Sequence, residues 1–145
     1  MFQEAHEFPI AKEHIVFVSE RIKNDFIQGA PLDRGFDEFQ VLEQLLQVID
    51  LSIQKLLIKL HPQEDSRKFD TLLSDQDNVM VIKDANNIQL ITSAERVVGM
   101  FSMLLLEAAL VREDVISFMP GGDASVFIGN RLGVTRSASS KEDLR

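Results

Sequence analysis

The stretch LEQLLQVIDLSIQKLLIKLHP, Leu42–Pro62, decides how the rest of the chain is read. With Phe39 ahead of it, Leu42, Leu46, Ile49, Ile53, Leu56 and Leu60 recur three and four residues apart in turn, the spacing of one helical face. Leu45, Val48 and Leu57 lie beside this seam and widen it beyond the narrow stripe of a two-stranded coiled coil. Pro62 stops the run, since a proline inside a helix removes a hydrogen bond and clashes with the preceding turn. The pattern predicts one long helix with one flank on its own core and the other on a partner; the heptad leaves open which flank faces inward, and Leu45, Val48 and Leu57 are the candidates for the partner side.

Upstream, Pro9 suits a first helical turn, and Ile15, Val18, Ile22 and Phe26 recur at helical spacing. A helix from Phe8 to Gln28 is expected, closed by Gly29 and joined through Gly29–Gly35 to the second helix as an antiparallel hairpin. His61–Asn78 is polar and acidic and reads as a surface connection. Val79–Ile82 and Ile88–Thr92 are rich in β-branched residues and flank the turn-like Lys83–Asn87, which predicts a β-hairpin; a continuous helix is the rival reading. Thr92–Glu95, TSAE, has the form of a capping box, and Val97–Val111 after it is apolar nearly all round, as in a central covered helix. Val115–Met119 and Ser125–Gly129 around Pro120–Asp123 suggest a second short hairpin. Gly133–Arg145 is small and polar and reads as a disordered tail. The expected whole is one globular domain over 1–132 with a tail at 133–145. Its class is α+β and mainly helical, with an all-α bundle as the alternative.

Composition narrows the functions. The chain is 45% hydrophobic and 26% charged, ordinary for a folded domain. It has no cysteine, so neither disulfides nor thiolate metal sites brace it, in keeping with a cytoplasmic protein. A net charge of −8 repels phosphate backbones, and without Trp or Tyr little remains to stack on bases, so nucleic acid is not an expected partner. Val97–Val111, interrupted by Glu107, falls short of the roughly 20 apolar residues that span a bilayer. Glu4, Glu7 and Glu13 at the start do not fit a signal peptide.

No catalytic set is found. His6, His14 and His61 match neither the i, i+4 pairing nor the Glu-Xaa-Xaa-His spacing of helical metal sites, so no metal is expected. The glycines form neither a Walker loop nor a dinucleotide fingerprint, and no cofactor is expected. No serine sits in a nucleophile elbow, and the carboxylates are scattered. Glu107 is the unusual charge. It is the candidate polar anchor of a pocket beside the central helix, unless it lies on a solvated stripe with Ser102 or pairs with Arg96 or Arg112. Met100 and Met103, near Phe101, Phe118 and Met119, suit either core packing or an adaptable partner surface. The reading that follows is a small acidic, non-enzymatic interaction protein, of adaptor, chaperone-like or regulatory type. It binds another protein, as a homodimer whose interface holds Leu45, Val48, Leu57, Met100 and Met103. A small-molecule sensor or enzyme is the alternative.

Overall fold

The computed structural model describes residues 14–21, 36–74, 76–84 and 86–144. Its centre is a six-stranded sheet in the order β3-β2-β1-β4-β5-β6, with every pairing parallel. The strands are β1 His14–Val18, β2 Lys55–Lys59, β3 Val79–Ile82, β4 Arg96–Gly99, β5 Val115–Phe118 and β6 Arg136–Ala138. Parallel strands are joined by crossovers that lay helices on the sheet, so central strands are buried on both faces and lose the apolar–polar alternation. HIVFV of β1 and VISF of β5 are buried at every position.

The strands are linked by α1 Glu38–Val48, α2 Asp70–Leu73, α3 Asn87–Ser93, α4 Met103–Val111 and α5 Ile128–Arg131. Right-handed crossovers put α1 and α2 on one face and α3, α4 and α5 on the other, because the strand order changes direction between β1 and β4. The packing agrees: α4 touches both α3 and α5, and α1 touches the closing 3-10 turn Lys141–Leu144. The core joins Phe17, Leu56, Ile58, Val97 and Ile116 of the sheet to Val41, Leu42 and Leu45 of α1 and Leu105 and Ala108 of α4.

The chain is therefore α/β, neither a mainly helical α+β domain nor an all-α bundle. The opening stretch explains the error. α1 starts where Asp37 accepts a hydrogen bond from the Gln40 amide at 2.9 Å, and it ends at Val48. Asp50 then takes the Ser52 amide at 3.0 Å and its carbonyl takes the amides of Ile53 and Gln54, closing a tight turn. Short polar side chains compete in this way with helical backbone bonds. Leu56, Leu57 and Ile58 that follow are buried on both sides of β2. A helical seam and a fully buried strand lie end to end and share a phase by chance.

The other corrections have the same root. His14–Val18 is a strand, so the expected Phe8–Gln28 helix is not formed over these residues; its remainder lies mostly outside the described residues. Val79–Ile82 pairs with β2 rather than with Ile88–Thr92, which belongs to α3 under an Asn86 cap. Thr92 and Ser93 end α3 instead of opening a helix, and the cap of α4 is Ser102, whose oxygen takes the Leu105 amide at 3.1 Å. β5 lies between β4 and β6, and Ser125–Gly129 falls on a 3-10 turn and α5, so there is no second hairpin. The segment expected as a disordered tail supplies β6, and buries Ala138 and Leu144.

Two substitutions separate the helix reading from the observed one. Ile53 is 71% exposed in the turn and Leu56 is 0% exposed in β2, although a single seam would bury both alike. Ile53→Ala should change stability by no more than about 0.5 kcal/mol, and Leu56→Ala should cost about 2–5 kcal/mol. Denaturant melts measure both; equal costs would contradict the turn.

Candidate ligand site at the carboxyl edge

The segments that leave the carboxyl ends of the strands gather on one edge of the sheet. Ser19–Arg21 follows β1, Leu60–Glu64 follows β2, Met100–Ser102 follows β4, and the amino ends of α1 and α4 return to the same edge. Gly99 closes β4 because a Cβ there would stand 3.0 Å from Leu105, and this close approach seats α4 against the strand.

A buried charge network occupies the edge beside β1. The Lys68 ammonium lies 2.6 Å from carboxylate oxygens of both Glu38 and Glu64 and donates to the Glu20 carbonyl at 3.3 Å. It also faces the rings of Phe39 and Phe69, 5.5 and 5.4 Å from their centroids. Glu64 accepts from the Ser19 hydroxyl at 2.8 Å and the His61 amide at 2.7 Å, one with each oxygen. Arg21 donates to the Gln63 side chain. The Lys59 ammonium is held by the carbonyls of Leu60 and Lys83, each at 2.8 Å, so it ties β2 to the end of β3 and is not presented to solvent. Burial lowers its pKa, against the raising fields of Asp84 and Glu64.

Glu20 reaches across the point where the strand order reverses. Its carboxylate accepts the Phe101 amide at 2.9 Å, joining the end of β1 to the turn between β4 and α4. Burial pushes its pKa from 4.5 up to about 7; the Phe101 and Met100 amides pull the other way, and the charges of Glu38 and Glu64 add to the rise. Farther along, a cleft of about 570 Å³ opens between α1 and the turns after β5 and β6, lined among others by Gln40, Gln44, Gln47, Ser139 and Ser140. Amides and hydroxyls of this kind offer both donors and acceptors to a ligand.

The residues singled out from the sequence are not brought together. Leu45, Leu57 and Met100 are core residues, 2%, 1% and 0% exposed, and none can face a partner. Val48 is half-buried and, with Leu45, lines a cavity of about 200 Å³ under Leu144. Met103 and Glu107 are exposed on the outer side of α4. His14 is buried at the start of β1, His61 lies at the carboxyl edge, and His6 lies outside the described residues. Among the described residues no group of His, Asp and Glu is placed to hold a metal ion, and no helix is long and apolar enough to cross a membrane. Sequence periodicity places Glu20 on the solvated side of a helix and does not single out Glu38, Glu64 or Lys68. For Glu20 and Glu64 the signal is the abrupt passage from apolar run to polar cluster in HIVFVSER and LLIKLHPQED, which marks the carboxyl ends of strands once the runs are read as β; Glu38 and Lys68 lie outside both stretches.

No family model, curated protein or solved structure matches the chain.

Glu20 gives a test of this geometry. With a folded pKa above the unfolded one, the native state holds the proton more tightly, so stability is greatest below pH 4.5 and falls until pH passes about 7. The span amounts to on the order of 3 kcal/mol. Glu20→Gln keeps an acceptor for the Phe101 amide and removes the ionisation, so it should be the more stable form above pH 7 and lose the advantage in acid. Melts of both proteins from pH 4 to pH 8 check this. Parallel curves would place Glu20 in water.

Proposed function

We propose that the chain is a small-molecule-binding α/β domain whose ligand sits over the carboxyl edge of the sheet, at the reversal between β1 and β4. The carrying observation is the strand order, β3-β2-β1-β4-β5-β6 with all strands parallel. Where successive crossovers leave on opposite faces, the loops diverge and open a crevice, and ligands of open α/β sheets bind there. The same order is found in doubly wound sheets that bind dinucleotides. The chain departs from them after β1, where VSER replaces a glycine-rich turn. A ligand would meet side chains of Arg21 and His61 and the start of α4 rather than a bare backbone loop.

The start of α4 adds polarity of one sign, since the first amides of a helix carry partial positive charge. This favours a ligand bearing phosphate or carboxylate, which would take the place of the Glu20 carboxylate on the Phe101 amide. Glu107 does not anchor this reading, because it stands among Met103, Leu110 and Val111 on the outer stripe of α4.

A thermal-shift panel of nucleoside phosphates, sugar phosphates and carboxylic acids tests the proposal. At a hundred times its dissociation constant, a true ligand adds about 2.7 kcal/mol to stability. Amide resonances of Arg21, His61, Phe101 and Ser102 should move with it. If no compound raises the melting temperature, or if the shifts gather at the opposite edge, the reading fails.

A further inference from the structure

We propose that the outer face of α3, α4 and α5 is a self-association surface, covered by the same face of a second copy of this chain. This is independent of the ligand reading. A helix lying on a sheet ordinarily turns a polar stripe to water. α4 does not: Leu105 and Ala108 are buried against the sheet, yet Met103, Leu110 and Val111 on the opposite side are 68%, 69% and 60% exposed. Ile88 at the start of α3 is 72% exposed and Leu132, just after α5, is 64% exposed. Both neighbouring helices touch α4. Among the described residues, every strongly exposed large apolar side chain except Ile53 falls on α3, α4, α5 or the segments flanking α5.

The area selects the occupant. Ile88, Met103, Leu110, Val111, Ile128 and Leu132, 43–72% exposed, together leave on the order of 650 Å² of residue surface in water, which if covered approaches the ~800 Å² that one partner gives to a standard interface. A two-fold pairing buries such a patch against itself without needing a second kind of surface. Glu107 is the charge within the stripe, and Arg131 is an exposed cation on α5, the helix that touches α4. A two-fold axis along the seam between α4 and α5 turns each Glu107 toward Arg131 of the other copy. An axis along α4 would oppose the two carboxylates. The heptad flank expected to pair is excluded, because Leu45 and Leu57 are core residues.

Light scattering and sedimentation of the full chain at micromolar concentration test this. The expected result is twice the chain mass of 16.4 kDa. Leu110→Glu should yield a monomer with unchanged circular dichroism, since the side chain it replaces is exposed. Glu107→Arg should weaken the dimer several-fold, and adding Arg131→Glu should restore it. A parent that is monomeric throughout, or a dimer indifferent to Leu110→Glu, overturns the proposal. So does a monomer whose binding of an apolar dye is lost in Leu110→Glu, which would assign the face to a different protein. Failure of the double variant to recover would overturn the axis along the α4–α5 seam.

Discussion

Everything in this structure depends on β1 having a parallel neighbour on each side. Val16 stands opposite Leu57 of β2 and Val97 of β4, and its own exposure is 0%. A strand in that position has no face for water, and the chain can reach its two neighbours only by crossovers on opposite faces. The apolar composition of the strands, the division of helices into two layers and the reversal of strand order between β1 and β4 all follow from that arrangement.

The charges at the carboxyl edge are costly in the same setting. Lys68 is nearly surrounded by Glu38, Glu64, Phe39 and Phe69, with side-chain exposure of 10% for the lysine and 0% for Glu38. Removing an ammonium and carboxylates from water costs several kcal/mol per ion, and attraction returns this only with good geometry and full hydrogen bonding. Apolar residues of equal volume would serve stability as well. The network ties together the turn after β1, the turn after β2 and the start of α1. Glu20 is a third carboxylate beside one buried ammonium; burial first, and the charges of Glu38 and Glu64 second, push its pKa up to about 7.

Some of this is legible in the sequence. Val97–Val111 does contain a helix, and Val115–Met119, expected as a strand, supplies β5. Strand and helix are harder to tell apart when both are short and wholly buried, because period is then the wrong evidence. β4 followed by α4 reads as one apolar helix, since Arg96–Gly99 and Met103–Val111 differ in backbone but not in polarity. The cues at the join are Gly99, which ends β4, and Ser102, a serine cap without the acidic partner of a capping box. The site was hidden for a related reason. Glu20 and Glu64 lie 44 positions apart, and only the pairing of β1 with β2 makes them neighbours. Once β1 is taken for a helix, Glu20 and Arg21 look like its solvated side.

The pairing of β1 with β4 also sets the order in which the chain can fold. During synthesis β1, β2 and β3 emerge as a block, while the other side of β1 waits for Arg96–Gly99. Until then an apolar strand, destined for the centre of the sheet, is an open edge with unpaired amides and carbonyls, the kind of template on which nascent chains join each other. Contacts so distant in sequence also carry a large loop-closure entropy and slow the search. The feature that makes the finished sheet continuous thus leaves one side of β1 unpaired until Arg96–Gly99 has been made.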